Sequence, residues 1–520
     1  MTSASPSNSG APQRFPVLVV GAGPAGLTIG NILRAAGVDC LVLEVETREF
    51  IEQRPRAGVI EEWAVRALQR RGLADNLLER AQLHTECEFR FAGDRFRFAY
   101  GELTGQHHFV YPQPLLVTDL VREYADVQAG EIRFGVQDVQ LHDLETPRPS
   151  VSYTDAGTGE RQLVGCEFVA GCDGARGVTR TVLPETTNIA RHDYGIGWLA
   201  LLAEAPPSSD CVLFGIHPSG FAGHMARSPE VTRYYLECPP GDDPENWSHD
   251  RVWAELQQRL GANGTPPLTE GRLIEKRVLD MHNYVVEPMT FGRLFLAGDS
   301  AHLTAPIAAK GMNLALHDAF LLGDALVAYL DKGDGSGLDG YSEACLRRVW
   351  DYQEFSQWLS EVYHGTSSGD EYRAGTTFAR LRRLFTSPAA AAAFAEQYLS
   401  VRRPRTDLSV VHRPVAEPVV GHVQGLVDEA AQVSVTQCVD HPAPLLARVH
   451  QPRQPEPCQV LADGRPGRPA RLREGRDVGL SPGQGVEESE AGAIAEQSED
   501  LGGQGELLLA GSARVRIVCS

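Results

Sequence analysis

Residues 16–44 read PVLVVGAGPAGLTIGNILRAAGVDCLVLE, and the order of residue types in this stretch sets the fold class. The apolar run PVLVV is bounded by polar sequence before it and by glycine after it, as in a strand buried on both faces of a parallel sheet. A helix-length stretch, LTIGNILRAAG, follows. Cys40-Leu41-Val42-Leu43-Glu44 then supplies a second strand, completing a βαβ unit of about 30 residues. Between strand and helix sits Gly21-Ala22-Gly23-Pro24-Ala25-Gly26. Gly21 allows the tight turn, Gly23 lets backbone amides approach a pyrophosphate, and Gly26 lets the helix pack close to the strand. Glu44 stands about 20 residues further on, where a carboxylate accepts a ribose hydroxyl. A bare glycine motif can be only a glycine-rich turn. With strand, helix and acid in register it reads as dinucleotide binding, and it leaves FAD and NAD both open.

Working outward, the chain has 520 residues, 42% hydrophobic and 22% charged, ordinary for a globular protein of about three domain-sized units. The formal charge of −20 argues against a nucleic-acid surface. The ten cysteines form no CxxC pair and no Cys/His cluster at zinc spacing, so no metal site is expected. A chain this long needs no disulfide staples, and reduced thiols in a cytoplasmic protein are the plain expectation. The N-terminus, MTSASPSNSGAPQR, lacks the apolar core of a secretory signal. No apolar run reaches the roughly 18 residues of a membrane span, so no membrane association is expected.

From Glu86 to Tyr100 the period changes. Phe89 and Phe91 flank Arg90, Gly93-Asp94 supplies a turn, and Phe96, Phe98 and Tyr100 alternate with Arg95 and Arg97. This predicts a hairpin with one face buried, so an antiparallel sheet is inserted into a parallel-sheet domain. Near residue 405 the composition turns to proline, glycine, arginine, glutamate and glutamine. Such sequence buries too little apolar surface to offset its ordering entropy, and 406–520 is expected to be a mostly disordered tail.

Two later segments select the cofactor. Gly171-Cys172-Asp173-Gly174-Ala175-Arg176-Gly177 follows the apolar strand Phe168-Val169-Ala170. The second, Gly292-Arg293-Leu294-Phe295-Leu296-Ala297-Gly298-Asp299-Ser300-Ala301-His302, ends a strand in Gly-Asp, whose carboxylate can bind a ribityl hydroxyl. It leads into Pro306 and then Lys310-Gly311-Met312-Asn313, at a helix start whose amides can face a flavin ring. Each alone could also be a plain strand-to-loop turn; their order and spacing after the N-terminal fingerprint point to FAD.

These residues resemble the class A flavin monooxygenases, and most closely the 4-hydroxybenzoate 3-hydroxylase family, over roughly residues 15–400. The resemblance also includes Arg54-Pro55-Arg56-Ala57-Gly58-Val59, Tyr111-Pro112-Gln113 and Val285-Val286-Glu287-Pro288-Met289. It implies an α/β fold: a discontinuous Rossmann-like FAD domain (15–84, 109–193 and 281–362), an inserted antiparallel substrate domain (85–108 and 194–280) and C-terminal helices (363–405). It implies FAD contacts from Ala25, Glu44, Arg54, Arg56, Gln113, Asp299, Met312 and Asn313, within a cradle that also takes in Gly21, Gly23, Gly26, Ala57, Gly58, Val59, Asp173, Lys310 and Gly311. NADH or NADPH is the implied co-substrate, bound transiently, because no second strand–GxGxxG–helix unit occurs; O2 is consumed through a flavin hydroperoxide. A homodimer and a small aromatic substrate are the expected partners.

By resemblance, Arg227 and Tyr235 sit where the family grips a substrate carboxylate, Pro306 presents its carbonyl to the substrate, and His84 and Tyr398 belong to a proton relay. Two positions depart from the pattern. Phe214 stands where the family has a tyrosine contacting the phenol, and Met225 where it has a carboxylate-binding serine. Each of these residues also has a plain structural reading, as a sheet charge, core packing or a satisfied histidine. The functional expectation is therefore hydroxylation of a small aromatic or heteroaromatic compound other than 4-hydroxybenzoate. The alternatives are a 4-hydroxybenzoate 3-monooxygenase proper and, from another class, a non-catalytic flavin-binding scaffold.

Overall fold

The computed structural model describes residues 13–401, Ala57 excepted, and the backbone of residues 432–435, 458–463, 504–509 and 513–518. Val17–Val20 is fully enclosed, pairing in parallel with Cys40–Glu44 on one side and Phe168–Gly171 on the other. The six-stranded sheet runs Thr290–Phe291, Leu294–Leu296, Phe168–Gly171, Val17–Val20, Cys40–Glu44, Glu131–Phe134, and only the short first strand is antiparallel to its neighbour. Gly21 takes φ +105°, and a Cβ there would fall 2.3 Å from the Cys172 carbonyl oxygen. The turn is therefore open to glycine alone. At Gly26 a Cβ would lie 2.0 Å from the Gly21 carbonyl oxygen, so helix Pro24–Ala35 lies as close to the strand as the fingerprint predicts.

Helix Gly311–Lys332 packs against Pro24–Ala35. It is long and apolar enough to cross a membrane by composition, which the run-length reading did not anticipate, yet 67% of its apolar window is buried inside the fold. Its apolar surface is core.

The second layer is an eight-stranded sheet, ordered His302–Leu303, Arg272–Glu287, Asn188–Glu204, Thr232–Cys238, Gly220–Ala226, Val212–His217, Cys87–Phe91, Asp94–Phe98. Two of its strands, Asn188–Glu204 and Arg272–Glu287, run 17 and 16 residues and pair along nearly their whole length. The boundaries read from sequence at 193/194 and 280/281 fall inside these strands, so continuous backbone carries one layer into the other. The C-terminal helices are Tyr341–His364, Glu371–Thr386 and Pro388–Tyr398.

The expected hairpin forms, with Ala92 and Gly93 rather than Gly93 and Asp94 at its turn, both at positive φ. Its first strand differs from the expectation of one wet face: Cys87–Phe91 is buried throughout. Arg90 and Arg95 hold Glu88 at 2.6 and 2.7 Å, and Arg90 donates to the Leu260 carbonyl. Paired and hydrogen-bonded charges can be enclosed where single ones cannot. One face of the sheet packs helix His249–Leu260, with Leu213, Tyr234 and Leu236 against Trp253 and Leu256. The opposite face meets the turn Pro306–Ala308 and the C-terminal helices.

Within 403–520 the described residues form four strands, Gln432–Val435, Cys458–Asp463, Gln504–Leu509 and Ala513–Val518, joined as one antiparallel sheet. The expectation of a disordered tail did not include them; the rest of that call lies outside the described residues.

Candidate active site

The cofactor cradle is built at the carboxyl ends of the parallel strands, where α/β sheets bind nucleotides. Glu44 is buried, which raises its pKa, and its oxygens accept the Ala22 N–H at 2.6 Å and the Glu46 N–H at 2.9 Å. A carboxylate has about four lone-pair sites, so a ribose hydroxyl can still be accepted there. A Cβ added at Gly23 would meet nothing within 4 Å, which leaves the mouth of the glycine loop open to a diphosphate. Ala25 is buried in the first turn of the helix, and Gln113 begins helix Gln113–Val121, half-buried. Gly58 is held against Tyr111, whose N–H donates to the Gly58 carbonyl, and Val59 opens the strand Val59–Glu61. Ala57 lies outside the described residues.

Arg54 and Arg56 are exposed at this mouth. Partial desolvation by the surrounding protein, together with the charges of Arg54, Arg277 and Arg176, lowers the Arg56 pKa, and Asp299 opposes that shift. The crowding of guanidinium groups suits a diphosphate. Beside it, Arg176, Arg180, Arg191, His282 and Tyr284 line a cleft of about 290 Å³.

The Gly298-Asp299 turn is fixed entirely through its backbone. Asp318 accepts the Gly298 N–H at 2.9 Å and lies 2.6 Å from His302 Nε2. Ser300 Oγ donates to the Gly171 carbonyl, while Tyr284 and Arg180 both donate to the Asp299 carbonyl. Among the described residues none donates a hydrogen bond to the Asp299 carboxylate, and burial raises its pKa. A half-buried carboxylate without a donor beside an open glycine loop is what a ribityl hydroxyl would satisfy. The residues present fit FAD.

Three assignments are refined by the geometry. The Asp173 carboxylate accepts the Thr179 N–H and hydroxyl at 2.9 and 2.5 Å, so it braces the loop from within. Asn313 spends its side chain on Val59 and Glu61, leaving only backbone, with Gly311 and half-buried Met312, to face a ligand. Lys310 is buried and ion-paired with buried Glu61. Its ammonium also lies 3.1, 2.8 and 3.0 Å from the carbonyls of Gln397 and Tyr398 and the Ser400 hydroxyl, which share its remaining N–H groups. These internal bonds fix the start of helix Gly311–Lys332. Burial pushes the Glu61 carboxyl up, but Lys310, Tyr352 and Trp63 outweigh this and hold it below the usual range.

On the sheet face toward Pro306, the strand register sets Phe89, Phe214, Gly223, Tyr235 and Ala200 in one cross-strand row. Met225 and Arg227 follow Gly223 at two-residue steps on the same face. The four substrate residues expected from sequence are thus brought together, beside Ala305, Ile307 and Ala308 of the turn that carries Pro306. Arg227 is half-buried and hydrogen-bonded to Tyr235; burial lowers its pKa and Tyr235 partly restores it. Among the described residues it pairs with no carboxylate. His84 and Tyr398 come together through a residue the sequence reading missed. His84 is the cross-strand partner of His108, whose ring packs 5.0 Å from that of Tyr398. Burial pushes His108 down to about 3. Tyr100 donates to the His84 carbonyl at 2.9 Å, and His84 Nδ1 is buried with no hydrogen-bond partner among the described residues. The only signal in the sequence was the paired His107-His108 two residues before Tyr111-Pro112-Gln113.

Two outcomes follow. Asp299→Ala should leave the fold intact and weaken FAD binding by about 1.5–3 kcal/mol, the worth of a charge-assisted hydrogen bond, measured by titrating apoprotein with FAD. Lys310→Met strands the Glu61 charge in the core and should destabilise the protein by about 3–5 kcal/mol in denaturant unfolding.

Comparison with known proteins agrees with this geometry. The family described as "FAD binding domain" matches residues 14–356. A p-hydroxybenzoate hydroxylase of Acinetobacter baylyi is 37% identical over 388 residues, covering 74% of this chain and 95% of that protein. A 3-(3-hydroxy-phenyl)propionate/3-hydroxycinnamic acid hydroxylase of Mycolicibacterium smegmatis is 26% identical over 63% of this chain, which spans 57% of that relative. Among solved structures, a p-nitrophenol 4-monooxygenase of Pseudomonas putida superposes with TM-score 0.64 at 21% identity, over 75% of this chain and all of that one, a likeness of fold. With the fingerprint, the Gly-Asp turn and the enclosed sheet face all in place, this chain belongs to the FAD-dependent aromatic monooxygenases, in the neighbourhood of p-hydroxybenzoate hydroxylase.

Proposed function

We propose that this enzyme hydroxylates an electron-rich aromatic or heteroaromatic acid, with NADH serving at least as well as NADPH. The observation that carries the substrate reading is Arg227: a half-buried guanidinium beside Tyr235 and Arg233, paired with no carboxylate among the described residues. A carboxylate or carbonyl of the substrate would complete it, since a buried charge is stable only when paired. Phe214 and Met225 flank that grip without a hydroxyl. A phenol bound there gains one charge-assisted donor fewer, so its pKa falls less on binding. Hydroxybenzoates, aminobenzoates, pyridones, quinolones and indole acids differ in how much help they need, and the electron-richer ones fit this wall better.

When bound, FAD supplies hydride acceptance and oxygen activation, which side chains cannot. The chain's own residues hold the ring and keep water out: the Phe89–Phe214–Tyr235 face on one side and the Pro306 turn on the other. His84 and Tyr398, with His108 between them, would carry a proton from the ring toward the surface strand Gln82–His84.

The nucleotide reading rests on Arg48. It follows Glu46 at the end of the second strand and is spent on Asp126, at 2.9 and 2.6 Å, and on Glu52 at 2.8 Å. A 2′-phosphate there would meet Glu46 and Glu49 with no free cation from this loop. A second reading, 4-hydroxybenzoate as the native substrate, is supported by the 37% identity over nearly the whole of the Acinetobacter protein.

The test is NADH and NADPH oxidation by the FAD-loaded enzyme across a panel of aromatic acids, with products identified by mass. Stimulation by at least one acid, with kcat/KM for NADH equal to or above that for NADPH, is expected. No stimulation by any would mark a flavin-binding scaffold, and a strong NADPH preference would overturn the nucleotide reading. The double variant Phe214→Tyr, Met225→Ser should raise hydroxylation of 4-hydroxybenzoate relative to the native compound. Wild-type enzyme turning over 4-hydroxybenzoate best would favour the second reading.

A further inference from the structure

Gly223 lies at the centre of strand Gly220–Ala226, on the substrate face between Phe214 and Tyr235. Glycine in a strand interior weakens it relative to alanine, and its usual reasons are a bulge, a special backbone conformation, or the close approach of backbone or ligand. None of the intramolecular reasons applies. The pairing runs without a bulge from Ala222 to Ala226, and Gly223 is not among the glycines at positive φ. A Cβ there would lie 3.4 Å from the ring edges of Phe221 and Tyr235, ordinary contact, and would strike no backbone. The contrast is Gly215 on the next strand, where a Cβ would fall 2.3 Å from the Arg259 carbonyl oxygen, so the packing of helix His249–Leu260 demands glycine.

We infer that Gly223 is the floor of a slot that admits a second fused ring, making the substrate a two-ring aromatic acid. This rests on the substrate face proposed above. The other inward positions of the strand are filled by Phe221, Met225 and, just beyond it, Arg227. The space a side chain at Gly223 would take is bounded by the Phe221 and Tyr235 rings, each 3.4 Å from a Cβ there, above regular strand backbone. A single ring held between Arg227 and the Pro306 turn leaves that space empty; a fused ring fills it and meets both rings at their edges, a favoured aromatic geometry.

The experiment uses the FAD-loaded enzyme and its Gly223→Ala and Gly223→Leu variants. Perturbation of flavin absorbance measures Kd for 4-hydroxybenzoate and for 6-hydroxy-2-naphthoate, alongside Tm and ligand-stimulated NADH oxidation. Wild type should bind the naphthoate roughly tenfold more tightly, and the added side chain should erase or reverse that ratio, as pocket-filling changes of this size do. The Ala variant should keep or raise Tm, because the fold does not need glycine there. A wild-type preference for the benzoate, a Kd ratio unmoved by either variant, or an Ala variant with lowered Tm and equal losses for both ligands would overturn the inference. Benzoate-stimulated oxidation persisting in those cases would leave the proposed function standing. If no aromatic acid perturbs the flavin or stimulates oxidation, both fall together.

Discussion

The ion pair between Glu61 and Lys310 is the constraint on which the site depends. It joins residues 249 positions apart, both 1% exposed, and it draws in the carbonyls of Gln397 and Tyr398. Three regions of chain converge there: the strand after the Arg54–Val59 segment, the start of the flavin-facing helix, and the end of the last C-terminal helix. Tyr352 and Trp63 donate to the same carboxylate, and Arg348 stacks on Trp63 at 4.0 Å. A buried pair is seldom a net source of stability, because desolvation consumes most of the Coulomb gain. Its consequence is specificity of arrangement. Any displacement of the helix start would leave a bare charge in the core, so the amides of Gly311 to Asn313 are held where a flavin ring would meet them.

A second buried pair does the same for the Gly-Asp turn. Asp318 holds the Gly298 N–H and His302 together, and the His302 charge keeps the Asp318 carboxyl well below the usual range although burial opposes it. His302, despite its own burial, is held above the ordinary imidazole value by Asp318. Internal charges thus fix both segments of the proposed flavin site, while Asp299 and Arg227, the two groups proposed to meet ligands, have no counter-charge bonded to them among the described residues. Charge satisfied within the fold positions the site, and charge left unsatisfied recognises what enters it.

The substrate face follows a complementary logic. Its backbone is a sheet whose long strands are continuous with the cofactor layer, so the two halves of the site cannot shift independently without breaking the Asn188–Glu204 and Arg272–Glu287 pairing. Rigidity of the wall permits fine discrimination, since a ligand cannot reshape it. Trp198, Phe221 and Tyr363 stack at 4.8 and 4.4 Å to make that wall stiff, and Gly223 is the one position in the Phe89–Ala200 row without a side chain.

What the sequence determined by itself was local. The βαβ unit, the roles of Gly21 and Gly26, the position of Glu44, the Gly-Asp turn and the Glu86–Tyr100 hairpin were all legible, because each depends on steric demands or hydrophobic period within a few tens of residues. The resemblance added the substrate residues Phe214, Met225, Arg227 and Tyr235 but not their arrangement. Only the tertiary structure decided that Lys310 is spent on Glu61, that Asp173 braces its own loop, and that Glu88 and Arg90 are buried together. It also placed His108 between His84 and Tyr398 and set Gly223 between the Phe221 and Tyr235 rings. The reason is physical: periodicity says which side chains leave water, but strand register and long-range charge pairing decide which of them meet.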